Sequence, residues 1–159
     1  MRIAILGLGV IGTIYAYALQ KAGQQVEHVL RESKKSTVPN VLTVDLLDGR
    51  YVSKGENKQD TYAVHVAEAH AEYDFIFISV RHGFVKEAVE TLRKNQIKGT
   101  LVFFCNFWNT REEVEKWAGE YDYILAFPTA GGHMNKDHLD GVLFDHLMLE
   151  GEKKAHIPN

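Results

Sequence analysis

The chain has 159 residues, enough for one domain that buries about 70% of the surface its unfolded form exposes. Hydrophobic residues make up 45% of it and charged residues 25%, as in ordinary globular proteins. A net charge of −3 gives no electrostatic basis for a nucleic-acid partner. The single cysteine, Cys105, excludes an internal disulfide, so we expect a cytoplasmic protein.

An uncharged run from Ile3 to Leu19, preceded by Arg2, raises the alternatives of an export signal or a membrane span. Its length is at the short edge of the ~17–25 residues that a spanning helix needs. Glycines cluster at its centre, where each costs a helix ~1 kcal/mol relative to alanine. We therefore expect no membrane segment and assign these glycines to a loop.

The N-terminal segment predicts a strand, a glycine turn, a helix and a second strand. The first strand is Arg2–Leu6, which is short, rich in isoleucine and followed by a glycine. The helix runs from Val10 to Lys21 with Gly23 as its C-terminal cap, and Val26–Leu30 is the second strand. Such a βαβ unit requires a right-handed crossover and parallel strands.

Strand signals recur along the rest of the chain. The polar stretch Arg31–Pro39 is expected to be a loop. A hairpin is predicted where Val41–Val44 and Arg50–Val52 flank the turn signal Asp48–Gly49. The further predicted strands are Thr61–Val66, Asp74–Val80, Thr100–Phe104, Tyr123–Phe127 and Val142–Leu149.

Two helices are predicted between these later strands. One begins near Gly83, and its apolar face is formed by Phe84, Val85, Ala88, Val89 and Leu92. The other begins at Thr110, which forms a capping box with Glu113, and runs to about Trp117.

The alternation of strands and helices predicts an α/β fold, a doubly wound, mostly parallel Rossmann-type sheet with helices on both faces. We expect one domain over residues 1–150. Residues 151–159 turn polar and lose periodicity, which indicates a tail.

The run Gly7–Gly12 fits the dinucleotide-binding fingerprint GxGxxG, because it follows a strand and opens a helix. Gly7 permits the tight turn, Gly9 lets the backbone approach a pyrophosphate, and Gly12 lets helix and strand pack closely. The amides at the start of the helix would face the phosphates, with the helix dipole behind them. The residues predicted to bind a cofactor here are Gly7, Leu8, Gly9, Val10, Ile11 and Gly12.

The residue at the end of the second strand indicates which cofactor binds. NAD enzymes usually place an acidic residue there, which bonds the ribose 2′-hydroxyl. This chain has Arg31, with Lys34 and Lys35 close behind, although Glu32 lies between them. Because a guanidinium suits a 2′-phosphate, the sequence favours NADP(H) over NAD(H).

Three segments resemble a known family: residues 2–31, the strand Phe75–Val80 and the segment Phe103–Asn106. They are similar to the N-terminal domain of ketopantoate reductases, also called 2-dehydropantoate 2-reductases. The resemblance implies NADPH-dependent reduction of a small 2-oxo acid, 2-dehydropantoate, to pantoate in the route to pantothenate and coenzyme A. Another NADP-dependent 2-oxo or hydroxy acid reductase, or a stand-alone NADP(H)-sensing module, remains an alternative.

The resemblance also implies site residues beyond the glycine loop. It assigns Asn106 to cofactor and substrate contact, and the residues alone place Asn106 after a strand, where ligands or turns both occur. Ser79, Val80 and Arg81 would lie beside the cofactor. Arg81 stands where many members carry lysine, which keeps the charge but changes its geometry.

The resemblance implies that the general-acid lysine lies in a C-terminal helical domain, and we expect this chain to stop before that domain begins. We therefore expect no catalytic residue in this chain, and NADP(H) binding without appreciable turnover. Phe107 and Trp108, if exposed, would mark where that domain docks or where a homodimer forms.

The histidines do not suggest a metal site. His133 and His138 do not have the i, i+4 spacing that places two ligands on one helical face, nor do His65 and His70. The segment Pro128–His133 is expected to be a glycine turn, with His133 as a proton donor as the alternative.

Overall fold

The computed structural model describes residues 1–50, 57–104, 111–144 and 146–150. The strands are β1 (Arg2–Leu6), β2 (Gln25–Val29), β3 (Val41–Asp48), β4 (Asn57–Ala63), β5 (Glu72–Ile78), β6 (Lys98–Phe103), β7 (Tyr123–Phe127), β8 (Ala130–Asn135), β9 (His138–Leu143) and β10 (Met148–Glu150). The helices are α1 (Val10–Lys21), α2 (Glu32–Lys35), α3 (Val85–Lys94) and α4 (Arg111–Ala118), and a 3₁₀ turn at His82–Phe84 precedes α3.

The main sheet has six strands in the order β10-β7-β6-β5-β1-β2. Strands β2, β1, β5, β6 and β7 pair in parallel, and β10 is antiparallel to β7. The strand β1 has Ile3 and Ile5 in one core cluster and Ala4 and Leu6 in another, so it is buried on both faces, as parallel sheets require. The predicted doubly wound, mostly parallel sheet is confirmed.

Helices cover both faces of the main sheet. On one face lies α1, and on the other α3 and α4 pack their apolar sides against β5 and β6. The buried positions of α3 are Val85, Ala88, Val89 and Leu92, at the helical spacing the sequence predicts. The prediction was wrong for Phe84, which is half exposed, because it lies in the tighter 3₁₀ turn before the helix.

A second sheet, of order β4-β3-β9-β8, covers the side of α1 that faces away from the main sheet. The helix α1 contacts β1 and β2 of the main sheet and β8 and β9 of the second sheet. Every residue from Gly12 to Ala18 is therefore buried. This explains the uncharged run that resembles a signal segment, since a helix that is apolar all round has to be enclosed.

The sequence predictions for the C-terminal third were wrong in two respects. The segment Pro128–His133 is not a turn, because β8 begins at Ala130 and pairs antiparallel with β9. The predicted strand Val142–Leu149 is instead the end of β9 and, after an interruption, β10. The sequence of β8 is rich in glycine and polar residues, so its strand conformation depends on pairing with β9 rather than on intrinsic propensity.

Two boundaries in the middle of the chain also differ. The expected loop Arg31–Pro39 contains the short helix α2. Strand β3 forms an antiparallel pair with β4, in which Leu47 is opposite Asn57. Arg50 is in a turn, and residues 51 and 52 lie outside the described residues, as does the predicted cap Thr110.

Within the described residues, no helix has both the length and the apolar character that crossing a membrane requires.

Candidate functional site

The glycine loop between β1 and α1 has the conformation its residue types predict. Gly7 has a φ of +82°, in the left-handed region that favours glycine. A Cβ at Gly12 would lie 2.9 Å from Ile5 Cγ2 and 3.1 Å from Ser79 Cβ, so this glycine lets α1 approach the main sheet. A Cβ at Gly9 would make only an ordinary contact, at 3.5 Å from the Ser79 carbonyl oxygen. Packing within the chain therefore requires Gly12 but leaves Gly9 free.

The N-terminus of α1 is available to an anion. Its N-cap is Gly9, no side chain caps it among the described residues, and its first turn carries no acidic group. The amides of the first turn, which belong to Val10 and Ile11 among others, have no partner within the helix. Uncapped amides at the positive end of the helix dipole suit a phosphate group.

A buried histidine forms a hydrogen bond to the backbone of the glycine loop. His28 of β2 lies fully inside, with Nδ1 2.7 Å from the Gly7 carbonyl oxygen and Nε2 2.6 Å from the Tyr62 hydroxyl oxygen. Burial lowers the pKa of His28 to about 4, so the ring is neutral at neutral pH. Since a carbonyl can only accept, Nδ1–H donates to Gly7 and Nε2 accepts from Tyr62. His28 is not among the residues predicted from the sequence, where its only signal is a histidine within a strand predicted to be buried.

The topology gathers several predicted residues at one crevice. The chain leaves β2 on one side of β1, passes through the second sheet, and returns as β5 on the other side of β1. Ligands of open α/β sheets bind at such a switch point, beyond the carboxyl ends of the strands. A cavity of about 460 Å³ lies there, and we call it the switch-point pocket. It is lined by Leu6, Gly7, Leu8, Val29, Leu30, Arg31, Lys34, Thr37, Val38, Pro39, Val80, Phe84, Glu87, Ala88 and Thr91.

One wall of the switch-point pocket is basic. Arg31 and Lys34 both line it, whereas Lys35 does not and instead pairs with Glu32 at 2.9 Å. The Arg31 guanidinium is 3.0 Å from the Glu87 carboxylate on α3, and both side chains are more than half exposed. Lys34 has no carboxylate partner among the described residues. Of the two cations in the pocket wall, Arg31 is therefore paired, and Lys34 is unpaired as far as the described part of the chain shows.

The other predicted residues fall into three groups. Val80 lines the pocket, and Ser79 lies against the glycine loop, with its Cβ facing Gly12. Arg81 precedes the 3₁₀ turn, is exposed and is not part of the pocket wall. Asn106 lies outside the described residues, as do its neighbours at 105 and 107–110.

The contribution of α3 to the pocket is not evident from the sequence. Phe84, Glu87, Ala88 and Thr91 line it at spacings of three and four residues, which is one stripe of a helix. This stripe lies next to the buried stripe of Val85, Val89 and Leu92. The sequence pattern therefore assigns the apolar residues of both stripes to the core. Only the packing of α3 beside β1 and β2 reveals that this stripe faces an open crevice.

Comparison with known families identifies a match over most of the chain. A family described as ketopantoate reductase PanE/ApbA matches residues 3–139. A search of curated protein sequences finds no match.

Solved structures similar to this one are reductases and dehydrogenases. The 2-dehydropantoate 2-reductase of Geobacter metallireducens GS-15 is 18% identical with a TM-score of 0.69, covering 95% of this chain and 49% of that chain. A D-mandelate dehydrogenase in ternary complex with NADH and anilino(oxo)acetate is 16% identical with a TM-score of 0.66, at 94% and 47% coverage. A dimeric ketopantoate reductase of Staphylococcus aureus is 15% identical with a TM-score of 0.61, at 96% and 48% coverage. At these identities the likeness shows a shared fold, and this chain spans about half the length of each.

Proposed function

The chain belongs to the ketopantoate reductase PanE/ApbA family, and on this premise we propose that it is the NADP(H)-binding domain of a 2-dehydropantoate 2-reductase-like oxidoreductase. The observation that carries the proposal is the switch-point pocket, where Gly7 and Leu8 of the glycine loop line one cavity with the cations Arg31 and Lys34. Its volume of about 460 Å³ is within the ~300–1,000 Å³ typical of small-molecule sites.

The residues of the pocket fit NADP(H) in charge and shape. The uncapped amides of α1 would hold the pyrophosphate, because no side chain of the described residues competes for them. Arg31 and Lys34 would hold the 2′-phosphate, Arg31 by paired charge-assisted hydrogen bonds and Lys34 as a point charge. A Cβ at Gly9 would make only an ordinary contact within the chain, so close approach of a phosphate to the backbone is the proposed reason for this glycine.

The proposed reaction is the reduction of a 2-oxo acid. Bound NADPH would supply the hydride. Asn106 is proposed to contact cofactor and substrate, and Ser79, Val80 and Arg81 to border the cofactor. Hydride transfer to a ketone leaves an alkoxide, which needs a positioned proton donor and a cleft closed to water. We assign the proton donor to the family's C-terminal helical domain, so this chain alone should show no appreciable ketopantoate-dependent NADPH oxidation.

An apolar edge supports a partner for this domain. Phe127 of β7 and Met148 of β10 are directly paired, and Leu149 follows; each is about half exposed. An exposed apolar patch of this kind favours contact with another domain or subunit. We propose that the family's helical domain docks here, in a cytoplasmic enzyme of pantothenate synthesis that forms a homodimer. The ketopantoate reductase of Staphylococcus aureus, which shares this fold, is dimeric.

A second candidate function is reduction of a different 2-oxo acid. The likeness to D-mandelate dehydrogenase favours it, because that protein shares the fold and was solved with NADH and anilino(oxo)acetate. The two candidates differ in cofactor as well as substrate. A comparison of the affinities of the chain for NADPH and NADH therefore helps to distinguish the two candidate functions.

The proposal is tested by titrating the chain with NADPH and with NADH and following nicotinamide fluorescence. We expect NADPH to bind more tightly, because only NADPH carries the 2′-phosphate that Arg31 would contact. The Arg31→Gln variant should weaken NADPH binding about 10- to 100-fold, the loss of about 1.5–3 kcal/mol for a hydrogen bond to a charged group, and leave NADH nearly unchanged.

Lys35→Gln is the matched control, since Lys35 is a neighbouring cation outside the pocket wall. It should bind NADPH like the wild type. Equal affinities for NADPH and NADH, with no effect of Arg31→Gln, would contradict the assignment of NADP(H).

A further inference from the structure

The outer face of the second sheet carries a cluster of histidine and aspartate side chains, which we call the His/Asp cluster: Asp45, His133, His138 and Asp140. Alternate residues of β3 and β9, such as Val44 and Leu139, are buried toward α1, so the cluster faces away from that helix. Asp140 is directly opposite Asp45 in the parallel pair β3–β9 and opposite His133 in the antiparallel pair β8–β9. Three strands therefore contribute to one patch.

The side-chain atoms of this cluster converge. His138 Nε2 is 2.6 Å from Asp45 Oδ2 and 3.6 Å from Asp140 Oδ2. His133 Nε2 is also 3.6 Å from Asp140 Oδ2. Ligand atoms of Asp45, His138 and Asp140 all lie within 4.8 Å of one another, and each residue is of intermediate burial. The tetrahedral edge of a zinc site with bonds of about 2.1 Å is about 3.4 Å, close to the two longer distances.

The two carboxylates of the cluster lie close together without a lysine or arginine partner among the described residues. Like charges directly opposite each other destabilise a sheet, and Asp45 and Asp140 are such a pair. Among the described residues, neither carboxylate pairs with a lysine or arginine; their ion-pair partners are His133 and His138. An amide of Gln59 donates a further hydrogen bond to Asp45 at 3.4 Å. A divalent cation bound between the two carboxylates would remove the repulsion between them.

We propose that the His/Asp cluster binds a first-row divalent cation, and that Zn²⁺ is the ion it suits best. His138 Nε2 and one carboxylate oxygen each from Asp45 and Asp140 form a set of three donors that zinc accepts, and His133, which is 3.6 Å from Asp140 Oδ2, would supply the fourth. When a metal binds, Nε2 of His138 would coordinate it through its lone pair in place of the hydrogen bond to Asp45, with the single proton of the neutral ring carried on Nδ1. The Gln59 amide then orients the Asp45 carboxylate.

The consequence of binding is a link between strands that are distant along the chain. Asp45 lies in β3, whereas His138 and Asp140 lie in β9 and His133 in β8. A metal that binds the folded chain and not the unfolded one stabilises the fold in proportion to the logarithm of its concentration over its dissociation constant. The site is therefore structural, and it is separate from the switch-point pocket.

The test is uptake of Zn²⁺ by the whole chain after treatment with a chelator, measured by equilibrium dialysis, together with the visible spectrum after Co²⁺ addition. We expect one tight site per chain, a tetrahedral cobalt spectrum and a higher melting temperature with Zn²⁺. His138→Asn and Asp140→Asn should each weaken Zn²⁺ binding at least tenfold and abolish the rise in melting temperature.

His65→Asn is the control, because His65 is an exposed histidine outside the cluster. It should take up Zn²⁺ like the wild type. The proposal fails if His138→Asn and Asp140→Asn, shown to be folded by circular dichroism, bind as tightly as His65→Asn, or if the wild type takes up no Zn²⁺. If one variant does not fold, Asp45→Asn replaces it in the same comparison.

Discussion

At the residue scale, the ion pair between Arg31 and Glu87 affects how the pocket would bind its cofactor. The place of Arg31 after β2 predicts that it faces a phosphate, but its guanidinium pairs with Glu87 of α3. This pair crosses the switch-point pocket, since both residues line it. The same carboxylate would oppose a 2′-phosphate. Glu87 would therefore weaken the binding of NADP(H) at the position where Arg31 would strengthen it.

This opposition predicts the effect of Glu87→Gln. Removing the carboxylate frees the guanidinium and removes a negative charge beside the phosphate. An exposed ion pair contributes about 0.2–1 kcal/mol, so NADPH should bind about 1.5- to 5-fold more tightly, with a smaller change for NADH. The measurement is the same fluorescence titration.

Glu90→Gln is the control for that variant. Glu90 lies on the same helix and pairs with Arg93, away from the pocket wall. It should leave both affinities unchanged. A gain in NADPH affinity that Glu90→Gln shares would mean that net charge, and not the position of Glu87, is responsible.

At the element scale, α1 depends on residues that let other elements approach it. Gly12 permits contact with β1, and Gly141 permits contact with β9, where a Cβ would lie 2.7 Å from Ile14 Cδ1. The helix is enclosed because both of its sides are approached this closely. Its buried, uncharged sequence follows from that position between two sheets.

Gly12→Ala should therefore destabilise the fold. Its Cβ would meet Ile5 Cγ2 at 2.9 Å and Ser79 Cβ at 3.1 Å, so α1 or its neighbours have to move. Overpacking of this kind costs about 1–3 kcal/mol, measurable as a loss in the free energy of unfolding in urea.

Gly83→Ala provides the comparison for Gly12→Ala. A Cβ at Gly83 would meet nothing within 4 Å, so its unfolding free energy should stay within about 0.5 kcal/mol of the wild type. Equal stability of the two variants would show that α1 can shift without cost.

At the scale of the whole molecule, His28 connects the parts of the fold. Its ring joins the glycine loop at Gly7 to Tyr62 of β4, and so links the main sheet to the second sheet. Burial lowers the pKa of His28 from 6.5 to about 4, because the charged ring would lose its hydration. Protonation of the His28 ring therefore destabilises the folded chain.

The pH dependence of stability follows from this shift. Below pH 6.5 the unfolded chain binds a proton at His28 that the folded chain refuses until about pH 4. The contribution of the neutral His28 ring to the unfolding free energy is therefore complete above about pH 6.5, and it is lost as the pH falls toward 4. Between pH 7.5 and 5 the unfolding free energy should fall by about 2 kcal/mol from this group.

Urea unfolding at pH 7.5 and at pH 5 measures this fall. The half-buried carboxylate of Asp60 is not its source, since the salt bridge with Lys21 lowers the pKa of Asp60 to about 2, which lies below this pH range. In His65→Asn the fall should persist, and in His28→Gln it should shrink. Equal unfolding free energies of the wild type at the two pH values would contradict the buried neutral histidine.

Sequence patterns alone determined the βαβ opening, the alternation of strands and helices and the glycine loop, because each depends on residues close together in the chain. Strands β1 and β7 and helix α1 match their predicted bounds, and Arg31 lies at the predicted strand end. Periodicity and turn chemistry act over a few residues, so they can be read locally.

Only the tertiary structure decided what those elements face. The pairing of Arg31 with Glu87, the support of Gly7 by His28, and the approach of Asp45 to His138 all join residues distant in sequence. The spacing of His133 and His138 excluded a shared helical face, but neighbouring strands bring side chains together by register, which spacing does not encode. Strand pairing and packing across layers fix these contacts, and neither is a property of a local segment.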